Sequence, residues 1–370
     1  MTFDQANLVL ILAAAAIGIV LIFILIAFIL LPLSKRVRRK KQKRQADIPT
    51  QPAMPAVEQT TEDEDDESTV VLASVAEESV APAVDQDVIE TVISPTDFTT
   101  GEPITLPISG ERPPDIGWQI AALTDVGLKR ELNEDNLMMI EGEMAEAGPY
   151  GLYVVADGLG GHEAGEVASQ LTVNTIQQHH ANHIPTAADA PYEQWLKSAI
   201  IAANEVVLKN QKEDSGTNKM GSTLVMALVV DHHAHIINVG DSRAYLLNSD
   251  TIEQISIDHS LVERLVQIGQ ITRDEARTHK QRNVIYSIIG EKEKLEIGYY
   301  HITLQPGDRL LLCSDGLSGM VSDEKLLAIS QHETDPVKAT KTMVLAAKQS
   351  GGHDNITAIV VQMPKDLSVS

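Results

Sequence analysis

The sequence contains a single cysteine among its 370 residues, so no disulfide can form within the chain. This fits a protein that works in a reducing compartment. Cys313 ends the apolar run 310–313, where a small buried thiol is expected. A cysteine-dependent phosphatase loop needs an arginine shortly after the cysteine, and Gly319 stands at that position. That class of enzyme is therefore excluded.

Positive charge is also scarce, and the formal net charge of −23 is spread unevenly. Residues 1–45 carry about +7, residues 46–117 about −16, and the rest of the chain about −14. An acidic folded portion lacks the positively charged surface that binds a phosphate backbone, which argues against nucleic acid as a partner. Such an excess of acid is tolerable where divalent cations neutralise part of it.

One stretch is long and apolar enough to cross a membrane. Residues 8–33 are almost unbroken apolar sequence without charge, and about 20 such residues span a bilayer. A cleaved signal peptide would have a shorter apolar core, with its basic residues first. Here the basic segment 35–45 follows the span, which predicts the N-terminus outside and the rest of the chain in the cytoplasm. We expect residues 1–34 to form a single-pass anchor in the cell membrane.

Residues 46–117 do not have the composition of a folded core. They are rich in Asp, Glu, Pro, Thr, Ser and small apolar residues, and they include the acidic run 61–67. Prolines interrupt any periodicity, and like charges repel one another along the chain. The composition predicts a disordered acidic linker.

Globular patterning begins at Trp118 and continues to Met363, which leaves residues 364–370 as a tail. Short apolar runs predict strands, and helical spacing predicts a few helices between them. Strict alternation of strand and helix is missing, so we expect an α+β fold with antiparallel sheets rather than a doubly wound fold. The predicted strands are 119–126, 136–140, 151–156, 222–230, 234–240, 243–248, 295–304, 309–313 and 356–363, and the predicted helices are 163–180, 192–210 and 336–349.

Four aspartates stand at the ends of predicted strands. Asp157, Asp241 and Asp315 follow the ends of three strands. Asp354 comes shortly before the start of another. In an antiparallel sheet the start of one strand lies at the same edge as the end of its neighbour. We therefore expect the four carboxylates to converge.

Carboxylates that converge repel strongly unless cations lie among them. Hard oxygen ligands with room for water select Mg²⁺ or Mn²⁺ rather than zinc. Gly158, directly after Asp157, lets the backbone come close enough to offer its carbonyl oxygen. Two ions about 4 Å apart would share one carboxylate and activate a water molecule. The pattern predicts a hydrolytic centre.

An arginine and two further acids follow the first predicted strand. Arg130 can bind phosphate with its planar guanidinium. Glu134 and Asp135, four and five residues further on, can hold metal-bound waters. Taken alone, this spacing is typical of a solvated surface turn.

Together these segments resemble the metal-dependent protein phosphatase family of type 2C (PPM), in its bacterial form. The resemblance covers residues 118–363, about two thirds of the chain, and the segments come in the order of the family. One such segment is a weak signal, whereas the ordered set is highly specific. The matching segments are RELNED (130–135), DGLGGHEAGEVAS (157–169), GST (221–223), GDSR (240–243), DHSLVERLVQIG (258–269), QRNV (281–284), SDGL (314–317) and DNIT (354–357).

The resemblance implies a β-sandwich of two antiparallel sheets flanked by helices. It implies that Asp157 bridges two Mn²⁺ or Mg²⁺ ions and that the carbonyl of Gly158 binds one of them. Asp315 and Asp354 would bind the other ion. Asp241, with Asp315, would match a third and weaker metal site of bacterial members.

The same resemblance implies roles for residues around the ions. Arg130 matches the phosphate-binding arginine, and Glu134 and Asp135 match the acids behind the metal ligands. Residues 256–297 match the mobile flap beside the site. The apolar residues within 261–268 have helical spacing, and we expect them to pack.

One position departs from many eukaryotic members. Leu159 stands where they have a histidine proposed as the general acid, so the proton donor to the leaving group is unassigned. A hydrophobic residue is usual in the bacterial branch, so we expect activity to persist. His162 is expected to cap the helix that follows it. The histidines within 232–235 look like a zinc or nickel cluster, but their place between two predicted strands favours a hairpin turn.

The leading hypothesis is a membrane-tethered phosphatase that hydrolyses phosphoserine and phosphothreonine in proteins without a covalent intermediate. Its expected partners are Ser/Thr kinases at the membrane and their substrates. One alternative is a catalytically weak phosphoprotein-binding module of the same fold. Such a module would lack a ligand at 157, 315 or 354, and all three aspartates are present. The other alternative is a two-metal phosphoesterase for a small molecule or nucleic acid.

Overall fold

Twelve strands and seven helices make up the part of the chain that the computed structural model describes, which comprises residues 104–105, 116–160, 164–182, 184–185, 187, 190–213, 220–292 and 294–365. The strands are β1 (Ile104–Thr105), β2 (Gln119–Asp125), β3 (Asp135–Met144), β4 (Gly148–Leu159), β5 (Gly221–Ser222), β6 (Leu224–Val230), β7 (His233–Val239), β8 (Arg243–Leu247), β9 (Ile252–Gln254), β10 (Gly298–Thr303), β11 (Arg309–Cys313) and β12 (Ile356–Gln362). The helices are α1 (Ala164–Asn182), α2 (Tyr192–Glu213), α3 (Leu261–Gln267), α4 (Arg273–Thr278), α5 (Asp315–Ser318), α6 (Asp323–His332) and α7 (Pro336–Gln349).

The strands form two antiparallel sheets. The first sheet has the order β1-β2-β12-β11-β8-β9. The second has the order β10-β7-β6-β4-β3, and the short β5 pairs with the end of β4. The predicted fold, two antiparallel sheets flanked by helices, is confirmed.

Both sheets are covered on both faces, so their strands are apolar at successive positions instead of alternating. In β4, Leu152 and Val154 face a core shared with α1 and α2. Tyr153 and Val155 face the core between the two sheets. A third core packs the other face of the first sheet against α5, α6 and α7, and it contains Cys313. Burial raises the pKa of this thiol to about 12, so it stays protonated, as expected of a structural cysteine.

Two short helices, α3 and α4, lie within the predicted flap, residues 256–297. The side chain of Ser260 caps α3, and Thr272 forms a capping box with Glu275 at the start of α4. The apolar residues of this segment pack only in part, because Ile268 is 62% exposed. The expectation that Ile268 packs is therefore wrong.

Two features lie before Trp118, where the predicted domain starts. The strand β1, within the predicted linker, places Ile104 opposite Ala122 of β2. Ile116 is buried in the core between the sheets. The chain therefore contributes to the sandwich from a few residues earlier than the patterning indicates.

Several predicted features fall outside the described residues. They are the anchor at 8–33, the basic segment 35–45 and the proposed helix cap at His162. Within the described ranges, no helix combines the length and the apolar character needed to cross a bilayer.

Candidate active site

Five aspartates meet at one edge of the sandwich. β4 and β7 both pair antiparallel with β6 and so run in the same direction, which places Asp157 and Asp241 at the same edge. Asp135 opens β3 directly opposite Asp157. In the first sheet β11 ends where β12 begins, which brings Asp315 and Asp354 towards each other. The charges of both act on Asp157, so the two sheet edges coincide.

Asp157 lies at the centre of this group. Its burial and the negative charges of its neighbours, chiefly Asp135 and then Asp315, raise the pKa of its carboxyl well above the usual range. Its backbone is fixed by Thr223, whose N–H donates to the Asp157 carbonyl at 2.8 Å. The Thr223 hydroxyl in turn lies 2.6 Å from that of Ser242. The central carboxyl therefore sits on a rigid support in surroundings that disfavour its charge.

Asp135 and Asp315 are held in similar surroundings. Burial raises the pKa of Asp135 to about 7, although Ser314 and Thr357 donate hydrogen bonds to its Oδ2 atom at 2.8 and 2.7 Å. Its Oδ1 atom is buried and accepts no hydrogen bond. Burial likewise raises the pKa of Asp315 to about 6, and its carboxyl lies within hydrogen-bonding reach of Asp157. In the absence of a cation, these acids retain protons at pH values where an ordinary aspartate is ionised.

Arg130 stands at the mouth of this group. Its Nη2 atom donates to Asp354 Oδ2 at 2.8 Å, and its Nη1 atom donates to Glu134 Oε2 at 3.2 Å. The side chain is 45% exposed, so a ligand can reach it. Burial alone would lower the pKa of the guanidinium, but the charges of Asp354, Glu134 and Asp157 outweigh it and raise the pKa. Arg130 therefore supplies a fixed positive charge beside the carboxylates.

Asp241 is buried on the other side of the group. Burial, followed by the charges of Asp315 and Asp258, raises the pKa of its carboxyl well above the usual range. The nearby Arg243 donates to Asp258 through Nε at 2.9 Å and through Nη2 at 2.7 Å. Because Arg243 is paired with Asp258, it offsets only part of the repulsion at Asp241. The same ion pair ties β8 to the first residues of the flap segment.

Gly158 has no room for a side chain. A Cβ atom at this position would lie 2.6 Å from the carbonyl oxygen of Glu134 and closer still to that of Gly165. The Gly158 N–H donates to the same Glu134 carbonyl at 3.1 Å. The backbones of Glu134 and Gly165 therefore come so close that only glycine fits at position 158. The role of the Gly158 carbonyl as a metal ligand stays a prediction.

The donor atoms suit hard divalent cations. They are carboxylate oxygens, and two of them, Glu134 Oε1 and Asp135 Oδ1, are buried without a hydrogen-bond partner. In the part of the chain that the structure describes, no three acidic, cysteine or histidine side chains form a complete metal-binding group. Mg²⁺ usually keeps several waters and is bound through one or two carboxylates. The arrangement therefore fits ions whose remaining ligands are water and substrate oxygens.

The order of the motifs and the two-sheet fold match a known family of proteins. Residues 131–355, more than half of the chain, match the family described as protein phosphatase 2C. The chain belongs to the protein phosphatase 2C family. The family predicted from the sequence is confirmed.

Relatives and solved structures agree with this assignment. The serine/threonine phosphatase stp of Listeria innocua is 34% identical over 239 residues, which cover 65% of this chain and 93% of the relative. The crystal structure of the Mycobacterium tuberculosis serine/threonine phosphatase PstP/Ppp is 34% identical with a TM-score of 0.59, and the match covers 67% of this chain and 99% of that one. The catalytic domain of PstP in complex with two manganese ions is 33% identical with a TM-score of 0.56, covering 66% of this chain and 97% of that one. The predicted enzyme class, a metal-dependent phosphoprotein phosphatase, is confirmed.

Asn355 connects several parts of the site of this 2C phosphatase, and nothing in the sequence indicates this role beyond its place in the segment DNIT. Its Oδ1 atom accepts from the backbone N–H of Glu134 at 2.8 Å. Its Nδ2 atom donates to the carbonyls of Val126 and Leu132 at 3.0 and 2.9 Å. One side chain therefore fixes both ends of the loop that carries Arg130.

We expect Asn355→Ala to lower both stability and activity. Three backbone groups lose their partner, which costs on the order of 2–4 kcal/mol where they are buried. The displaced loop moves Arg130, so kcat/KM should fall about tenfold or more. Thermal unfolding and phosphopeptide hydrolysis measure the two effects. The matched control is Asn210→Ala, which removes only a bond to Val206 within α2. Wild-type turnover in Asn355→Ala would contradict this role.

Proposed function

We propose that this chain is a membrane-tethered protein serine/threonine phosphatase that hydrolyses phosphoserine and phosphothreonine with water activated by two metal ions. One observation carries the proposal. An accessible arginine, Arg130, is fixed at the mouth of a group of aspartates whose carboxyls disfavour their own charge. A group of this kind needs cations to ionise fully, and a guanidinium beside it can receive a phosphate.

The proposed ligands are those that the resemblance to the family implies. Asp157, the carbonyl of Gly158, Asp315 and Asp354 would hold two ions. Asp241, with Asp315, would hold a third ion if one binds. When bound, Mn²⁺ or Mg²⁺ supplies Lewis-acid charge and lowers the pKa of a water molecule.

The remaining residues orient the substrate and the water. Arg130 would bind the phosphate oxygens with its planar fork, in exchange for its bonds to Glu134 and Asp354. Glu134 and Asp135 each keep one buried oxygen without a partner, and these oxygens can accept from ordered water. Leu159 offers no proton, so the leaving group takes its proton from water or from a group still unassigned.

We expect a phosphothreonine peptide to be hydrolysed with a kcat/KM about tenfold or more above that of the matched phosphotyrosine peptide. In a phosphothreonine peptide the phosphorus lies close to the peptide backbone. In a phosphotyrosine peptide the aromatic ring separates the phosphorus from that backbone by a greater distance. The assay uses both peptides with Mn²⁺, and a small aromatic phosphate serves as comparison. Faster turnover of the small phosphate than of either peptide would favour a small-molecule phosphoesterase. Peptide binding without turnover would favour the binding module.

The proposed location depends on the sequence before the sandwich. Residues 8–33 would span the membrane with the N-terminus outside, and the catalytic domain would lie in the cytoplasm. The part of the predicted linker before β1, residues 46–103, would let the domain move about this anchor. Phosphorylated proteins at the membrane, among them Ser/Thr kinases and their substrates, are the proposed partners.

Deleting residues 1–45 is expected to move the protein from the membrane fraction to the supernatant after ultracentrifugation. The full-length chain should stay with membranes in high salt, because salt screens charged contacts but leaves an apolar span in place. Release of the full-length chain by salt alone would show that the basic segment 35–45 binds the surface without an anchor.

A further inference from the structure

A second set of metal-ligating side chains lies at the end of β7 opposite to Asp241. His233 and His235 are two residues apart on β7, and His301 stands directly opposite His235 on the edge strand β10. Residues two apart on a strand, and their cross-strand partner, share one face of the sheet. We call His233, His235 and His301 the imidazole cluster.

The rings of the cluster lie close together. Those of His235 and His301 stack with centroids 4.5 Å apart and planes 11° apart. The rings of His233 and His301 are 5.3 Å apart and tilted by 36°. On a tetrahedral ion with Zn–N distances of about 2.0–2.1 Å, the centroids of two imidazole rings lie roughly 5 Å apart, close to the separation of His235 and His301. Because the two rings are stacked, one of them has to turn before a nitrogen of each faces the same ion. His301 is exposed on an edge strand, so its side chain has room to make this turn.

His235 is oriented as a ligand would be. Its Nδ1 atom lies 2.8 Å from the hydroxyl of Tyr299, and the ring of Tyr192 lies against it with centroids 4.9 Å apart. Metal-binding histidines usually have their second ring nitrogen fixed by such a partner. The Nε2 atom of His235 is then the one left for an ion. Burial lowers the pKa of His235 to about 4, so the ring is neutral at pH 7, the form that coordinates metals.

The cluster lines an open cavity of about 500 Å³. Asp231 and Glu146 also line this cavity and bring carboxylate oxygens to it. No three donors form a complete group in the described ranges, so an ion here would have two imidazole ligands and complete its shell with water. Imidazole suits Cu²⁺, Ni²⁺ and Zn²⁺, whereas carboxylate and water suit Mg²⁺ and Mn²⁺.

We propose that His235 and His301 form a two-imidazole site for a divalent transition ion of the Cu²⁺, Ni²⁺ and Zn²⁺ class, separate from the aspartate group. A bound ion ties the edge strand β10 to β7. β10 is the strand that follows the flap segment, and β7 leads into Asp241. The ion therefore fastens two strands that continue into the candidate active site.

The test uses Cu²⁺ as the probe and the full-length protein in detergent micelles. Excess Mg²⁺ occupies the aspartates, and pulsed electron paramagnetic resonance counts the imidazoles on Cu²⁺. We expect two imidazoles in the wild type and in the control His332→Ala, whose ring lies at the end of α6. His301→Ala should leave one imidazole and weaken Cu²⁺ binding by at least about tenfold. His233→Ala should keep two.

Cu²⁺ is also expected to raise the unfolding temperature of the wild type but not of His301→Ala, because a ligand that binds only the folded state stabilises it. Circular dichroism checks that the variant is folded, which its exposed position favours. The inference is overturned if His301→Ala keeps two imidazoles or wild-type affinity. It is equally overturned if the wild type shows fewer than two imidazoles, or if His233→Ala loses one.

Discussion

Asp157→Asn is expected to lower turnover of a phosphothreonine peptide on the order of a thousandfold or more and to raise the unfolding temperature of the metal-free protein. The loss of turnover follows because an amide brings no negative charge to hold two cations. The gain in stability follows because Asp157 is half-buried among other acids, and its desolvation together with their charges raises the pKa of its carboxyl. An amide there removes that repulsion. The two readouts move in opposite directions, which a variant that merely unfolds cannot reproduce.

Removal of the metal gives the second arm of this experiment. We expect EDTA to abolish turnover in the wild type and to lower its unfolding temperature by several degrees. An ion that binds only the folded protein stabilises it, and its removal therefore destabilises the protein. In Asp157→Asn the same treatment should change the unfolding temperature much less. Asp250→Asn is the matched control, because Asp250 is an exposed acid in the turn between β8 and β9. Turnover that survives EDTA, or that survives in Asp157→Asn, would rule out the metal mechanism.

The strands and their acidic ends could be predicted because their signals are local. The run 151–156 is apolar throughout, since both faces of β4 are buried, and Asp157 interrupts it at the rim. The same contrast marks Asp315 after β11. Antiparallel pairing then follows from general rules for sheets. Within each sheet it brings the end of one strand and the start of its neighbour to the same edge.

Elements with weak apolar patterns escaped prediction. Helix α6 buries only Leu326 and Ile329, so its periodicity is faint. Its start does carry a signal, since Ser322 accepts from the N–H of Lys325 as an N-cap. The three-residue strand β9 is too short for any pattern to distinguish it from a turn.

Contacts that depend on strand register could not be predicted at all. Asn355 reaches Glu134 because Ile356 of β12 pairs with Asp125 of β2, far away in the sequence. His235 meets His301 for the same reason, across β7 and β10. The hairpin turn predicted at residues 232–235 is confirmed at His232 but wrong for His233 and His235, which already lie in β7. The prediction also gave no indication of the partner strand β10. Sequence spacing places residues on a face, whereas register decides which faces meet.

In the metal-free protein, the stability contributed by the aspartate group is expected to fall as the pH rises from about 4 to about 7. In the unfolded chain an aspartate ionises near pH 3.9. In the folded chain burial raises the pKa of Asp315 to about 6 and that of Asp135 to about 7. The folded state therefore binds more protons in this range, so the stability that these acids provide is complete below about pH 4 and disappears as the pH passes 6 to 7. The total change is on the order of a few kcal/mol, because one pKa unit corresponds to about 1.4 kcal/mol.

Two histidines, the buried His180 and the half-buried His235, act in the opposite direction, so the profile has to be measured as a difference. Burial lowers the pKa of His180 and of His235 to about 4, and the stability they provide disappears as the pH falls below about 6.5. Asp315→Asn leaves both histidines in place. Chemical unfolding of both proteins without metal is measured from pH 4 to pH 8. The difference in unfolding free energy between the wild type and this variant then isolates the effect of Asp315 and of its coupling to the other aspartates.

Mn²⁺ should reverse the trend, because a cation binds the ionised carboxylates and competes with their protons. We expect stabilisation of the wild type by Mn²⁺ to grow as the pH rises from about 5 to about 7, and stabilisation of Asp315→Asn to stay small throughout. Parallel pH profiles for the two proteins without metal would mean that Asp315 is not the crowded acid described here. A Mn²⁺ effect that does not depend on pH would mean that the ions bind away from this group. The second result would separate the aspartates from the metal on which the activity depends.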